Sequence, residues 1–209
     1  LPLAAQALAL ATRFDAVIAN PPYMGGKGMN ATLKDFAKTN YPDSKSDLFA
    51  MFIERGFAWC KPLGFNSMVT MQSWMFLSAY ETMRSKLLKE RSIIAMAHLG
   101  ARAFTEISGE IVQTTAFTML RQHVDGYRPS FFRLTEGLEE DKAAALRGKR
   151  NLFNASSQEE FAKIPGSPIA YWLGDAFLAA FDKFAPLGEV SQSRVGMNTT
   201  NNSKFVRLW

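Results

Sequence analysis

The strongest constraint on the fold of this chain is the apolar run Phe14-Asp15-Ala16-Val17-Ile18-Ala19, which reads as a buried strand and stops at Asn20-Pro21-Pro22-Tyr23. Open α/β sheets place their ligands in loops at the carboxyl ends of such strands. Each proline lacks an N–H, has a fixed φ and biases the residue before it towards extended backbone, so the chain leaves the strand stiffly with unpaired carbonyls. Downstream, strand-like apolar runs alternate with longer amphipathic segments, the pattern of βαβ units with right-handed crossovers. The expected fold class is α/β, with a mostly parallel sheet and flanking helices.

The Asn20 side-chain carbonyl and the Pro21 backbone carbonyl can each accept one N–H bond of an exocyclic amine, and Tyr23 can stack on the ring that bears it. Holding both N–H groups near-tetrahedral draws the nitrogen lone pair out of conjugation and aims it at an electrophile, which is positioning plus electrostatic preorganisation. No general base beside the loop is evident. The plainer reading is a rigid turn that ends a strand. With Pro near 5% of residues, the tetrapeptide arises by chance in roughly one chain in a thousand of this length, which favours the functional reading.

The loop resembles motif IV of the amino-group methyltransferases that use S-adenosylmethionine (SAM) and act on adenine N6. Three segments, Ala19-Asn20-Pro21-Pro22-Tyr23-Met24-Gly25-Gly26-Lys27, Ala97-His98-Leu99-Gly100-Ala101-Arg102-Ala103-Phe104 and Gly109-Glu110-Ile111-Val112-Gln113-Thr114-Thr115-Ala116-Phe117, are together similar to the PglX-type methyltransferases of BREX phage defence. The similarity covers nearly the whole chain. It implies the carboxyl-terminal part of a Rossmann-like SAM-dependent domain over residues 1–135, a helical extension or connector over 136–188, and the start of a target-recognition region over 189–209.

The resemblance also implies roles. Asn20, Pro21, Pro22 and Tyr23 would be catalytic. Tyr23 and Phe104 would sandwich a flipped adenine from double-stranded DNA, since stacking at about 1–3 kcal/mol per base helps offset unstacking. Asn20, Leu48 and Phe52 would contact SAM, the last two from a helix opening Asp47-Leu48-Phe49-x-x-Phe52. By residue type alone, Leu48 and Phe52 are core positions and Phe104 is a hydrophobic plug. Other phage-defence proteins are further candidate partners. The glycine-rich loop that grips the SAM methionine moiety in these enzymes lies ahead of the first strand, and nothing between Leu1 and Arg13 supplies it. This piece alone is therefore expected to bind SAM poorly and to be inactive. Alternatives are a methyltransferase acting on an RNA base or a protein glutamine, and a catalytically silent module that binds DNA or defence proteins.

Composition excludes other classes. With 209 residues and 47% apolar content the chain suits one globular core, and its net charge of +5 is compatible with a polyanionic partner without requiring one. No apolar run approaches the roughly 20 residues of a membrane span, and the single cysteine, Cys60, excludes an internal disulfide framework, so the cytoplasm is expected. Cys60 reads as a packed thiol. His98 and His123 show no acidic or cysteine partners at ligand or triad spacing, so no metal site is expected. The cluster Arg147-Gly148-Lys149-Arg150 is a solvated helix end or a phosphate contact.

Further elements follow from periodicity and breakers. Leu3–Ala11 reads as a helix packed on the sheet rather than a signal peptide. Met24–Ser46 reads as a polar excursion, either an active-site flap or a plain loop, and its Gly25-Gly26-Lys27-Gly28 lacks the spacing of a phosphate loop. Helices are expected over Asp47–Lys61, Tyr80–Arg91 and from Glu139 to about Lys149. Arg84, Lys86, Lys89 and Arg91 are expected to be solvated. Strands are expected over Phe65–Met71, Ser92–Leu99, Ile111–Leu120 and Pro129–Leu134, with Gln72-Ser73-Trp74 beside the site. Pro168 is expected to open a helical stretch through Tyr171, Trp172, Phe177, Phe181 and Phe184, and Gly196–Lys204 is turn-prone. The abrupt start and finish of the pattern suggest an excised piece of a longer protein.

Overall fold

The central strands alternate large apolar residues with small ones, so the two faces of the sheet they form are unlike. The computed structural model describes residues 2–103, 112–185 and 187–192. In chain order its strands are β1 (Phe14–Ala19), β2 (Cys60–Met71), β3 (Ser92–Gly100), β4 (Thr114–Leu120), β5 (Ser130–Arg133) and β6 (Leu152–Phe153), and they lie in one sheet in the order β1-β2-β4-β3-β5-β6. β1/β2 and β3/β5 are parallel pairs. β4 lies antiparallel between β2 and β3, and β6 is antiparallel to β5, so the Rossmann-like α/β sheet is mixed.

Register explains the two faces. Met68, Phe117, Met96 and Phe131 pair in one row across four strands, and all four are buried beneath the helices α3 (Leu48–Trp59) and α4 (Glu81–Glu90). Phe49, Ile53 and Phe57 of α3 and Met83 and Leu87 of α4 complete this core. Gly56 allows the close approach, because a Cβ there would lie 2.6 Å from Met68 Cε and 2.7 Å from the Asn66 amide. The neighbouring row, Ile18, Ser67, Thr118 and Ala95, points the other way. These residues line an open, mostly apolar depression of about 350 Å³.

β1 is a strand, as expected, but it is not buried. It pairs with β2 alone at the end of the sheet, and Ile18 is 81% exposed. Similarly, α1 (Pro2–Ala11) forms but does not pack on the sheet. It buries no residue, since alanine and leucine surround it without a polar side, and Trp59 Nε1 ties it down by donating to Leu10 O at 2.9 Å.

Within Met24–Ser46 lies a helix the periodicity did not reveal, α2 (Ala31–Asn40), capped by the Asn30 side chain, which accepts from Leu33 N. Its Ala37 packs with Met29 and Met51 of α3. The segment therefore has a core of its own. α3 ends at Trp59, two residues before its expected end, because Cys60 is already extended and opens β2. The Cys60 thiol is buried against Gly56 O and Phe65 O at 3.3 Å each, and burial raises its pKa, in keeping with a packed thiol.

Two expectations fail for one reason: the segment after β6 folds back into the core. Arg84 is not solvated but 1% exposed, and its guanidinium donates to Trp74 O, Leu77 O, Gly166 O and Ser167 O. Tyr171 and Trp172 are not helical. Tyr171 stacks on Phe131 at 4.5 Å inside the main core, and Ile169 N donates to Met75 O. α5 (Glu139–Arg147) forms at the acidic turn expected to start it, and Lys149 and Arg150 beyond its end are exposed.

The chain divides into two compact units, Leu1–Leu173 and Gly174–Trp209. In the second, α6 (Asp175–Lys183) carries Phe177 and Phe181 edge-to-face at 5.7 Å, and α7 (Leu187–Val190) follows. The Gly196–Lys204 segment lies outside the described residues.

Candidate active site

Parallel pairing of Ala19 with Met68 brings the Asn20-Pro21-Pro22-Tyr23 loop out on the same edge of the sheet as the end of β2. Asn20 and Pro22 are exposed, Pro21 is buried and Tyr23 is half-buried. The loop is tied to the start of α3 through Asp47, a residue the sequence reading used only as a helix boundary. Its carboxylate accepts from Phe49 N at 3.3 Å as a helix cap and from Met24 N at 2.9 Å. Leu48 N donates to Met24 O at 3.0 Å and Gly26 N to Ser46 O at 3.2 Å. Together these bonds fix the chain one residue beyond Tyr23. Gly28 N closes onto Gly25 O at 2.8 Å, so this glycine turn uses its own donors and makes no phosphate cradle.

Tyr23 meets the edge of Phe49 with centroids 6.2 Å apart, and Phe49 in turn packs on Tyr80 at 5.8 Å. The Tyr23 hydroxyl is buried without a hydrogen-bond partner among the described residues, and burial raises its pKa. A buried, unpartnered hydroxyl costs about 1–3 kcal/mol, so the ring gains by turning towards a partner. Leu48 and Phe52, four residues apart on α3, are both half-buried: Leu48 packs with Met29, Ala37 and Met51, and Phe52 packs on the main core. Their remaining surface offers an apolar wall of the kind a planar ring requires. Phe104 lies outside the described residues.

Sequence reasoning missed a polar corner on the same edge. Gln72 follows β2 and Gln113 precedes β4. Gln72 N donates to Gln113 O at 2.9 Å, and the Gln72 side-chain amide nitrogen bonds to Gln113 Oε1. His98, near the end of β3 and 6% exposed, places Nε2 2.7 Å from Gln72 Oε1 and Nδ1 3.0 Å from the Tyr171 hydroxyl. Burial, and then the charges of Arg133 and Lys142, lower the His98 pKa to about 4. Buried Lys142 donates to Leu99 O and Ala101 O and so holds the chain as it leaves β3. Nothing local in the sequence marks Lys142, which sits in an otherwise charged helix.

His123 does have acidic partners, contrary to expectation. Its Nε2 lies 3.0 Å from Asp125 Oδ1 and 3.2 Å from Glu159 Oε1, at the opposite end of the sheet from the loop. Three such ligand atoms invite a metal. A metal on Nε2 of a neutral ring leaves a proton on Nδ1, however, and there Nδ1 faces the Gln158 amide nitrogen at 3.1 Å. That amide already donates to Leu88 O and Arg91 O and accepts from Ile93 N. It is no acceptor, so the cluster suits a hydrogen-bonded histidine.

Residues 5–104, which include the loop and α3, match the family model described as Eco57I restriction-modification methylase. Across its whole length the chain is 53% identical to the adenine-specific methyltransferase BrxX of Escherichia coli O9:H4 (strain HS). The chain is a homologue of the BrxX and PglX methyltransferases. Its identity to PglX of Lacticaseibacillus casei (strain Zhang) is 40%, over 96% of the chain. It spans 17% of the length of each of these relatives. Among solved structures, the cryo-EM DrdV–DNA complex superposes with a TM-score of 0.55 at 14% identity, over 73% of this chain and 18% of that one, which shows a shared fold. No helix among the described residues is long and apolar enough to cross a membrane.

Proposed function

We propose that this chain is the base-handling part of a longer, SAM-dependent DNA adenine-N6 methyltransferase that works in the cytoplasm in phage defence or restriction-modification. The observation that carries this reading is the Asn20-Pro21-Pro22-Tyr23 loop at the carboxyl end of β1, clamped through Met24 to the Asp47 cap of α3. Residues 1–135 hold the catalytic elements, and the segment that follows braces them through Arg84 and Tyr171. The substrate is double-stranded DNA with its target adenine turned out of the helix.

In this reading, exposed Asn20 accepts one N6–H bond through its side-chain carbonyl, and the Pro21 carbonyl accepts the other. The amine lone pair is thereby turned out of the ring plane. Tyr23 leaves its contact with Phe49 to stack on the flipped base, and Phe104 closes the other face. Leu48 and Phe52 would supply an apolar wall for the cofactor's adenine, and Asn20 would be a further cofactor contact. When bound, SAM would supply an electrophilic methyl group to the N6 lone pair, the new C–N bond replacing the C–S bond and one N6 proton passing to solvent.

The test uses the full-length protein, labelled SAM, and two duplexes that differ only in carrying adenine or N6-methyladenine at every adenine position. The reading predicts label on the first and none on the second. Equal labelling of both, or label that appears only in RNA or protein, would overturn it.

A further inference from the structure

The corner formed by Gln72 and Gln113 shares the carboxyl edge of the sheet with the Asn20 loop, and the mechanism above leaves it unused. Gln113 is exposed, yet its side-chain carbonyl oxygen is occupied by the Gln72 amide. What it can present outwards depends on the direction of the hydrogen-bond chain behind it. That direction is set at the far end. The Tyr171 hydroxyl is buried with the His98 ring and has one hydrogen to donate, and a buried phenol left without an acceptor is destabilising. Its acceptor is His98 Nδ1, so in the neutral ring the proton sits on Nε2 and is donated to Gln72 Oε1. The low pKa of His98 keeps the ring neutral. Gln72 is then left with its amide nitrogen towards Gln113 Oε1, and exposed Gln113 is left with two N–H groups that no described residue accepts.

We propose that Gln113 is a DNA contact that offers these two N–H donors to an acceptor on the substrate strand, with Tyr171, His98 and Gln72 as the positioning residues that fix its polarity. The inference rests on the DNA-methyltransferase reading. The acceptor class is a backbone phosphate oxygen or an acceptor atom on a base edge, since both present lone pairs and no donor. Gln113 belongs to the segment whose likeness to PglX-type enzymes includes Gln113-Thr114-Thr115-Ala116-Phe117, and it adjoins the connection that carries Phe104.

The experiment compares full-length protein with Gln113→Glu, Gln113→Ala and Tyr171→Phe. Gln113→Glu keeps the shape but turns the outward donors into a charged acceptor. The expected result is a 10- to 100-fold rise in KM for DNA on Gln113→Glu, a smaller rise on Gln113→Ala, and unchanged kcat at saturating DNA and SAM affinity, on the order of a 1–3 kcal/mol polar contact. Tyr171→Phe should raise KM for DNA several-fold and add nothing to Gln113→Glu in the double variant. Nitrogen NMR should find the Nε2-protonated tautomer of His98 in the parent. Substrates carrying one methylphosphonate linkage, or a 7-deazapurine, next to the target identify the acceptor: the Gln113→Glu penalty disappears on the one that already lacks it. Unchanged KM for DNA in both Gln113 variants, or an Nδ1-protonated His98, would overturn the proposal alone. A parent that methylates no DNA would instead remove the reading beneath it.

Discussion

The carboxyl edge of the sheet is held in two ways. At the end of β1, the Asn20-Pro21-Pro22-Tyr23 loop is fixed by backbone hydrogen bonds and one local carboxylate, Asp47, all within thirty residues of chain. At the ends of β2 and β3, Gln72 and Gln113 are fixed by side chains, through His98 to Tyr171, which arrives from 73 residues beyond His98. The first arrangement is stiff because of what its own sequence forbids. The second is stiff only while residues 158–173 stay folded against the core, where Arg84 and Gln158 hold them. The loop proposed to orient the amine thus depends on nearby chain, whereas the corner proposed to contact DNA depends on tertiary packing.

This contrast can be broken from either side. Arg84→Ala removes a buried guanidinium that serves four carbonyls, and should lower stability by about 3–4 kcal/mol. For a protein of this size that is a fall in Tm of roughly 6–16 °C in thermal unfolding. Hydrogen exchange should quicken at Ser167 and Ile169 while Met24, Gly26 and Leu48 keep their protection. Equal loss at both places would mean that the two arrangements are one cooperative unit.

A pH titration of stability sharpens the same point. His98 has a folded pKa of about 4 against 6.5 in the free side chain, so between these values the unfolded state binds more protons. Stability contributed at His98 is therefore complete above about pH 6.5 and is lost as pH falls towards 4, by about 3 kcal/mol in all. Chemical unfolding of the protein and of His98→Gln at pH 7.5, 6, 5 and 4.5 should show this slope in the first and a shallower one in the second. Parallel profiles would show that His98 is not buried as described.

Asp47→Ala is the smallest perturbation. Loss of the cap should cost about 1–2 kcal/mol. Exchange should quicken at Met24 and Gly26 but not at Ser167, and kcat of the full-length protein should fall about tenfold, because misplacement of a reacting group is expensive. An unchanged kcat would separate the Asp47 clasp from the orientation of Asn20.

The two arrangements also differ in how far the sequence betrayed them. Asn20-Pro21-Pro22-Tyr23 was legible because proline stiffness, a preceding apolar run and a following Asp-capped helix are all local signals. The alternation of β2, β3 and β4 was likewise visible, as was the acidic start of α5. Arg84 and Lys142 looked solvated or unremarkable because a charged residue on a helix carries no mark of the carbonyls that another segment will bring to it. Tyr171 and Trp172 were assigned to a helix by their aromatic spacing, whereas they form a single turn closed by Leu173 N to Ala170 O and packed against Phe131 and His98. β1 was read as buried from its composition. Position at the end of the sheet is a property of strand order, which an isolated apolar run does not encode.

The central claim is that Asn20 orients an adenine amine for methylation. Asn20 is exposed, so Asn20→Ala should leave the fold and the Tm unchanged. The decisive measurement is transfer of labelled methyl from SAM to unmethylated DNA by the full-length protein and by its Asn20→Ala variant. Loss of one preorganised acceptor predicts a fall in kcat of about 10²–10³, with all remaining label in N6-methyladenine. A variant that methylates adenine as fast as the parent would contradict the account.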